Sequence, residues 1–142
     1  MDKDYFYKIV LSAVIFNKEG KILLGQRSLT DDILPGYWGL PGGKVDSTED
    51  TDDILEKELV REIMEEVGIK VDILNLIENH LSAKSRKVNI CFSAKFKSGI
   101  PQALDETEAV GWFDLEEIKM MQTTPYTFER IQKAFSNFLQ EQ

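Results

Sequence analysis

The hydrophobic and polar positions of this chain change period several times, and each change marks an element. Residues 6–17 (FYKIVLSAVIFN) are dense in β-branched and aromatic side chains and predict a strand. Asn17-Lys18-Glu19-Gly20 reads as a turn, and Lys21–Arg27 predicts a second strand antiparallel to the first. Residues 28–37, punctuated by Pro35-Gly36, read as a loop. Trp38-Gly39-Leu40 is a short extended piece leading into a Gly-rich turn at Pro41-Gly42-Gly43. The period then becomes helical. Leu55, Leu59, Ile63 and Val67 recur every four residues, Val60 and Met64 widen the stripe, and Glu58, Glu62, Glu65 and Glu66 lie largely away from it. Ser47, Thr48 and Thr51 are all candidate N-caps, Asp50, Asp52 and Asp53 suit the positive end of the helix dipole, and Gly68 suits the residue after the last turn.

Beyond the helix the pattern returns to strands. Residues 70–81 and 87–98 predict a hairpin turning at 82–86. In its second strand Ile90, Phe92, Ala94 and Phe96 alternate with Asn89, Cys91, Ser93 and Lys95, so one face is expected buried and the other more polar. Residues 99–108 read as an acidic loop, Ala109–Phe113 as a short strand and Leu115–Met121 as a short helix. From about Thr124 to Leu139, apolar residues at helical spacing predict a C-terminal helix. Strands on both sides of a helix, with another helix at the end, imply an α+β or layered α/β/α domain. No internal repeat or linker divides it, so one domain over 1–142 is expected.

Composition narrows the function classes. The net charge of −8 argues against a broad nucleic-acid footprint, so no stable nucleic-acid complex is expected. A small phosphorylated partner remains compatible, because bound metal reverses the sign of a local site. The one cysteine, Cys91, rules out an intramolecular disulfide and reads as a small buried hydrophobe. The N-terminal residues lack a signal-peptide core, and no apolar run approaches the ~18 residues of a membrane span. A cytoplasmic protein with no membrane partner, monomeric or homodimeric, is the expectation.

The chemistry concentrates between Gly42 and Ile69. On a helix, Glu62, Glu65 and Glu66 fall at i, i+3 and i+4 and share one face. Like charges so spaced disfavour a bare helix by a few tenths of a kcal/mol per pair, roughly. Such a face calls for a cation, and Mg²⁺ characteristically takes a few carboxylates plus substrate phosphates.

Gly43, Glu49 and the run Arg61-Glu62-Ile63-Met64-Glu65-Glu66-Val67-Gly68-Ile69 resemble the Nudix box of Nudix hydrolases, Gly-x5-Glu-x7-Arg-Glu-U-x-Glu-Glu-x-Gly-U with U bulky aliphatic. The second half matches at every specified position. Arg27, Gly36, Trp38, Pro41-Gly42-Gly43 and the downstream Trp112–Glu117 run resemble the family too, so the likeness covers nearly the whole chain. One departure stands out. Eleven residues separate Glu49 from Arg61 where the pattern has seven, which either lengthens the helix by about a turn or extends the loop before it. This leaves open whether Glu49 reaches the site.

The resemblance implies a Nudix-like α/β/α sandwich with a mixed central sheet. It also implies hydrolysis of a nucleoside diphosphate derivative with Mg²⁺ or Mn²⁺. Glu62 and Glu66 are the implied metal ligands, Glu65 a third ligand or the group that acts on water, and the Gly42 carbonyl a further ligand. Glu49 is an implied catalytic carboxylate. Arg61 is expected to orient a glutamate by a bidentate pair. Gly43, Lys44 and Arg27 are the substrate-side candidates, although Arg27 equally suits an acidic partner. An additional carboxylate is expected from Asp105, Glu106 or Glu108, with Glu106 and Glu108 favoured. His80 reads as a surface or sheet-edge residue, and Trp38 and Trp112 as fold-fixing.

Signatures outside the box separate the family's substrates. The coenzyme A type resembles this chain at Leu23-Leu24, Arg27-Ser28 and Gly36, but Asp32 stands where a second Arg belongs, and a carboxylate cannot replace a phosphate-binding guanidinium. No Pro lies between Pro41 and Pro101 for the ADP-ribose type, and no Tyr between Tyr37 and Tyr126 for the dinucleoside polyphosphate type. The NADH-type run and the cysteine of the isoprenyl diphosphate isomerases are missing. The remainder is the nucleoside triphosphate pyrophosphatase branch. Oxidised nucleotides are a further option there, although no acidic pair stands near Thr123-Thr124-Pro125 to read them. A catalytically inactive nucleotide sensor, a nucleotide-sugar hydrolase and an RNA 5′-end hydrolase are the competing readings.

Overall fold

A computed structural model describes residues 6–46 and 52–140 of the chain. The strands are β1 (Lys8–Phe16), β2 (Ile22–Arg27), β3 (Trp38–Gly39), β4 (Gly42–Lys44), β5 (Lys70–Ser82), β6 (Lys87–Ser98) and β7 (Thr107–Phe113). The helices are α1 (Ile54–Val67), α2 (Leu115–Lys119) and α3 (Thr127–Gln140). The strands form one mixed sheet with the path β3-β2-β1-β6-β5, to which β4 adds by pairing with β1 and β7 by pairing with β2. β1 and β6 run parallel in unbroken register from Lys8↔Lys87 to Phe16↔Lys95; the other pairs are antiparallel.

Alternation along the central strands produces two cores. Leu11, Ala13 and Ile15 of β1 and Leu23 of β2 face one side, where Leu59, Ile63 and Val67 of α1 cover them. Val14 and Phe16 of β1, with Ile22 and Leu24 of β2, face the other side, beneath Ile118 of α2 and Ile131 and Ala134 of α3. The layered α/β/α expectation therefore holds. So do the predicted hairpin, now β5 and β6, and the structural roles of both tryptophans. Trp38 packs edge-on to Phe113 at 5.2 Å in one core, and Trp112 edge-on to Phe96 at 5.4 Å in the other.

Several details differ from the sequence expectations. The supposed Gly-rich turn is the strand β4, antiparallel to β1 with Leu11 opposite Gly43 and Ser12 opposite Gly42. A Cβ at Gly42 would overlap the Leu11 carbonyl, so the glycine is there for close backbone approach rather than for chain reversal. Cys91 is buried, as its reading as a small hydrophobe implies, and Ser93, expected on a more polar face, is buried too, because α3 covers that side of β6. Met64 lies exposed, outside the buried stripe of α1. Glu108 belongs to β7 rather than to the acidic loop before it. α1 begins at Ile54, with Asp53 in left-handed conformation ahead of it and no side-chain cap bond. Glu49 and the cap candidates Ser47, Thr48 and Thr51 lie outside the described residues. Gly68 closes the helix in left-handed conformation as expected, its N–H donating to the Met64 carbonyl at 3.0 Å. β5 carries register shifts between Ile73 and Leu76 and between Leu76 and Glu78.

The β4 contact is testable. Gly42→Ala must push β4 off β1, and we expect a loss of about 1–3 kcal/mol in urea denaturation, the usual cost of overpacking. An unchanged midpoint would show that the two backbones are not tightly opposed.

Candidate active site

The site forms where β4 meets α1. Pro41 and Val45 exchange backbone hydrogen bonds with β1, through Ala13 N–H to the Pro41 carbonyl and Val45 N–H to the Ile9 carbonyl, each near 3 Å. Gly42, one residue out of phase, turns its backbone groups away from β1. Its N–H donates to the Glu66 carboxylate. Gly43 then lies directly beneath Glu62, where a Cβ would collide with the carboxylate. Two glycines thus let two helical carboxylates rest against strand backbone. Gly25 of β2 leaves room from the other side, where a Cβ would stand 3.8 Å from Glu66 Oε1.

The burial of these acids sets their chemistry. Glu66 is half-buried, and desolvation pushes its carboxyl up to about 7. The Gly42 N–H opposes that shift, and the negative charges of Glu62 and Asp105 add to it. Glu62 is also held above its usual range, first by burial and then by Glu65, Asp46 and Glu58, against the pull of Arg61. Glu65 is exposed. A hard divalent cation fits this donor set on physical grounds, since the carboxylate oxygens are poorly compensated and the Gly42 backbone already approaches Glu66.

Rather than the expected bidentate pair with a single glutamate, Arg61 binds four carboxylates by one bond each. Its Nη2 meets Glu58 Oε2 at 2.6 Å, Glu62 Oε1 at 3.1 Å and Asp46 Oδ1 at 3.2 Å, while Nη1 donates to Glu65 Oε1 at 2.7 Å. Glu58 and Glu65 hold the guanidinium well above its ordinary range. Glu58, placed by helical period away from the core stripe, is in fact buried. The sequence signal that identifies it is its spacing, one turn ahead of Arg61.

The third side of the site comes from the loop before β7. Gln102 N–H donates to the Val67 carbonyl and Leu104 N–H to the Glu66 carbonyl, which satisfies C-terminal carbonyls of α1. That docking brings Asp105 and Glu106 to the mouth of a cleft of about 770 Å³ lined also by Glu66, Gly42, Gly43 and Lys44. Glu108, favoured equally with Glu106 from sequence, borders a smaller depression of about 420 Å³, and its Oε1 accepts a long 3.4 Å hydrogen bond from Leu29 N–H. Arg27 lines the cleft but already has partners. Its Nη2 meets Asp31 at 2.8 Å and its Nε donates to the Ile33 carbonyl at 2.9 Å, which ties down the loop after β2.

The far end of the cleft was not legible in sequence. His80 of β5 and Tyr126, which precedes α3, bring their rings to 5.3 Å, and the Arg130 guanidinium lies 5.7 Å from the Tyr126 ring. Lys87, Asn89, Thr124 and Thr127 also line the cleft. The cleft therefore combines an acidic mouth at Glu66, Asp105 and Glu106 with an aromatic end at His80 and Tyr126, where Arg130 is also paired with Glu78 at 3.4 Å.

The NUDIX domain family model matches residues 7–133. A CTP pyrophosphohydrolase of Escherichia coli (strain K12) is 35% identical over 80 residues, covering 56% of this chain and 56% of that protein, so the match spans about half of the relative. Among solved structures, the MutT protein from Methanosarcina mazei Go1 is 30% identical with a TM-score of 0.71, over 92% of this chain and 94% of that one. A MutT NUDIX hydrolase from Burkholderia pseudomallei is 31% identical with a TM-score of 0.74, over 90% and 98%.

The raised Glu66 carboxyl makes a stability prediction. A carboxyl that titrates higher folded than unfolded contributes stability below about pH 4.5 and loses it as pH rises through about 7. In chelator at pH 8, Glu66→Gln should therefore melt higher than wild type, by about 3–8 °C for ~1–2 kcal/mol. At pH 4.5 the two should coincide. A lower melting point for the variant at pH 8 would show that the ionised carboxylate is well satisfied.

Proposed function

Because this chain belongs to the NUDIX domain family, we propose that it hydrolyses a (deoxy)nucleoside triphosphate to the monophosphate and pyrophosphate. Nudix hydrolases act on pyrophosphate linkages of nucleotide derivatives with divalent metal, and the finer substrate is our reading. The observation that carries it is the polarity of the cleft, with Glu66, Asp105 and Glu106 at one end and the His80–Tyr126 rings with Arg130 at the other. Its volume of about 770 Å³ lies in the range of sites that enclose small ligands. A polyphosphate chain suits the acidic end when metal is present, and a nucleobase suits the aromatic end. The similarity to a CTP pyrophosphohydrolase supports the same substrate class.

Glu62, Glu65, Glu66 and the Gly42 carbonyl would hold Mg²⁺ or Mn²⁺, with Asp105 or Glu106 facing them across the cleft mouth. The bound ion supplies neutralisation of phosphate charge and a polarised phosphorus. The chain's own residues do the rest. Glu66, wedged between Gly25 and Gly42, fixes where the phosphates sit. Arg61 keeps the Glu62 and Glu65 side chains oriented through bonds of 3.1 and 2.7 Å. Glu65, the exposed carboxylate, would either complete that ligand set or accept the proton from the attacking water. One P–O bond forms from that water, the bridging P–O bond breaks, and pyrophosphate leaves with the bridging oxygen. Lys44, beside Gly43 in the cleft lining, is the substrate-side cation this reading favours, since Arg27 is already held by Asp31 and the Ile33 carbonyl.

A panel of nucleoside di- and triphosphates, nucleotide sugars and 5′-triphosphorylated RNA, assayed with Mg²⁺ or Mn²⁺, tests the reading. Nucleoside triphosphates are expected to give the highest kcat/KM, and Glu66→Gln to lose at least ~10²-fold. Full activity in that variant would remove Glu66 from the mechanism. No turnover of any diphosphate would favour a nucleotide sensor.

A further inference from the structure

The oxygens of Asp46, Glu58 and Glu62 lie within 4.8 Å of one another, the spacing of a cation site. Arg61 Nη2 touches all three, at 3.2, 2.6 and 3.1 Å. The chain has therefore filled that trio with a cation of its own. We propose that Glu58 is a positioning residue: it anchors Arg61 from within α1 and so keeps the Glu62 and Glu65 carboxylates available to a divalent cation. This rests on the reading that these glutamates hold metal.

The family pattern leaves the Glu58 position open, and geometry singles the residue out. Glu58 makes the shortest of the four bonds and its side chain is only 10% exposed. Asp46 and Glu65 are 79% and 55% exposed, and such exposed pairs hold a guanidinium weakly. Glu62 is partly buried, but its 3.1 Å bond is long for a charge-assisted contact, which is ordinarily about 2.7–2.9 Å. Glu58 is thus the partner that fixes where Arg61 stands. It sits one turn before the arginine, and Glu65 one turn after, so both contacts come from a single helix. The Glu58 and Glu65 contacts are made within α1 and do not depend on the path of the segment before it.

The consequence concerns competition. A guanidinium and a metal ion seek the same carboxylate oxygens. With Glu58 holding one end of Nη2, Arg61 shares Glu62 loosely and leaves that carboxylate free to bind a second cation. Once the Glu58 charge is removed, Arg61 closes on Glu62 and Glu65 and opposes the metal directly.

The test compares wild type, Glu58→Gln, Glu58→Asp, Arg61→Lys and the Glu58→Gln/Arg61→Lys double variant. Mn²⁺ affinity is read by electron paramagnetic resonance titration, without substrate. The Mn²⁺ concentration for half-maximal hydrolysis is read separately. Glu58→Gln keeps the shape and removes the charge, and is expected to weaken Mn²⁺ binding about 10-fold, as loss of a group behind a metal ligand typically does. Glu58→Asp keeps the charge and should stay within about 3-fold of wild type. In the Arg61→Lys background, Glu58→Gln should add less than about 2-fold, because its effect runs through the arginine. Unchanged Mn²⁺ affinity in Glu58→Gln, with only a lowered melting point, would reduce Glu58 to a structural residue and overturn the proposal. A full 10-fold loss in the Arg61→Lys background would overturn it too, by making Glu58 a direct ligand. If wild type binds Mn²⁺ yet turns over no nucleotide, the functional reading fails while the titration still decides the role of Glu58. If wild type binds no Mn²⁺, both fail.

Discussion

The site depends on a contact between backbone and carboxylate. β4 is pressed so closely between β1 and α1 that neither Gly42 nor Gly43 has room for a side chain. On one side the strand is fixed by the Leu11 backbone, and on the other it carries Glu62 and Glu66. Removing water from those carboxylates raises the cost of their charge, and the raised Glu62 and Glu66 carboxyls report that cost. The same closeness makes a cation favourable there. Fold stability and the affinity of the proposed metal site would therefore be coupled through the same few ångströms of packing.

Arg61 is the second constraint. Four carboxylates around one guanidinium leave a net negative cluster even after pairing. An exposed pair alone contributes little, about 0–1 kcal/mol. The Glu58 bond differs because one partner is buried, so breaking it would strand a charge away from water. The arginine thus serves less as glue than as a fixed point from which two neighbouring glutamates take their direction.

Much of this was legible in the sequence, for physical reasons that also explain the failures. The period of α1 and the alternation in β1 and β6 are strong because each element buries a face, and burial imposes period. The carboxylate face followed from the i, i+3, i+4 spacing alone. Gly42-Gly43 misled because glycine signals both turns and close approach, and only the position of Leu11 decides between them. Glu58 misled because a polar residue off the apolar stripe is ordinarily solvated, whereas here Arg61 compensates its burial. The division between Glu106 and Glu108 depends on how the loop docks onto the end of α1, and the His80–Tyr126 contact joins β5 to the start of α3; neither has any local signature.

The register shifts in β5 have a consequence of another kind. β5 is the last strand on its side of the sheet, thirteen residues long, with Leu74, Leu76 and Leu81 exposed. A straight apolar edge of that length is a template on which a second chain can add strand to strand. The shifts at Ile73, Leu76 and Glu78 break the repeat of its outward-facing groups, so an incoming strand cannot stay in phase for more than a few residues. What looks like imperfect pairing inside the hairpin thus acts outside it, on how crowded this protein can become before it starts to adhere to itself.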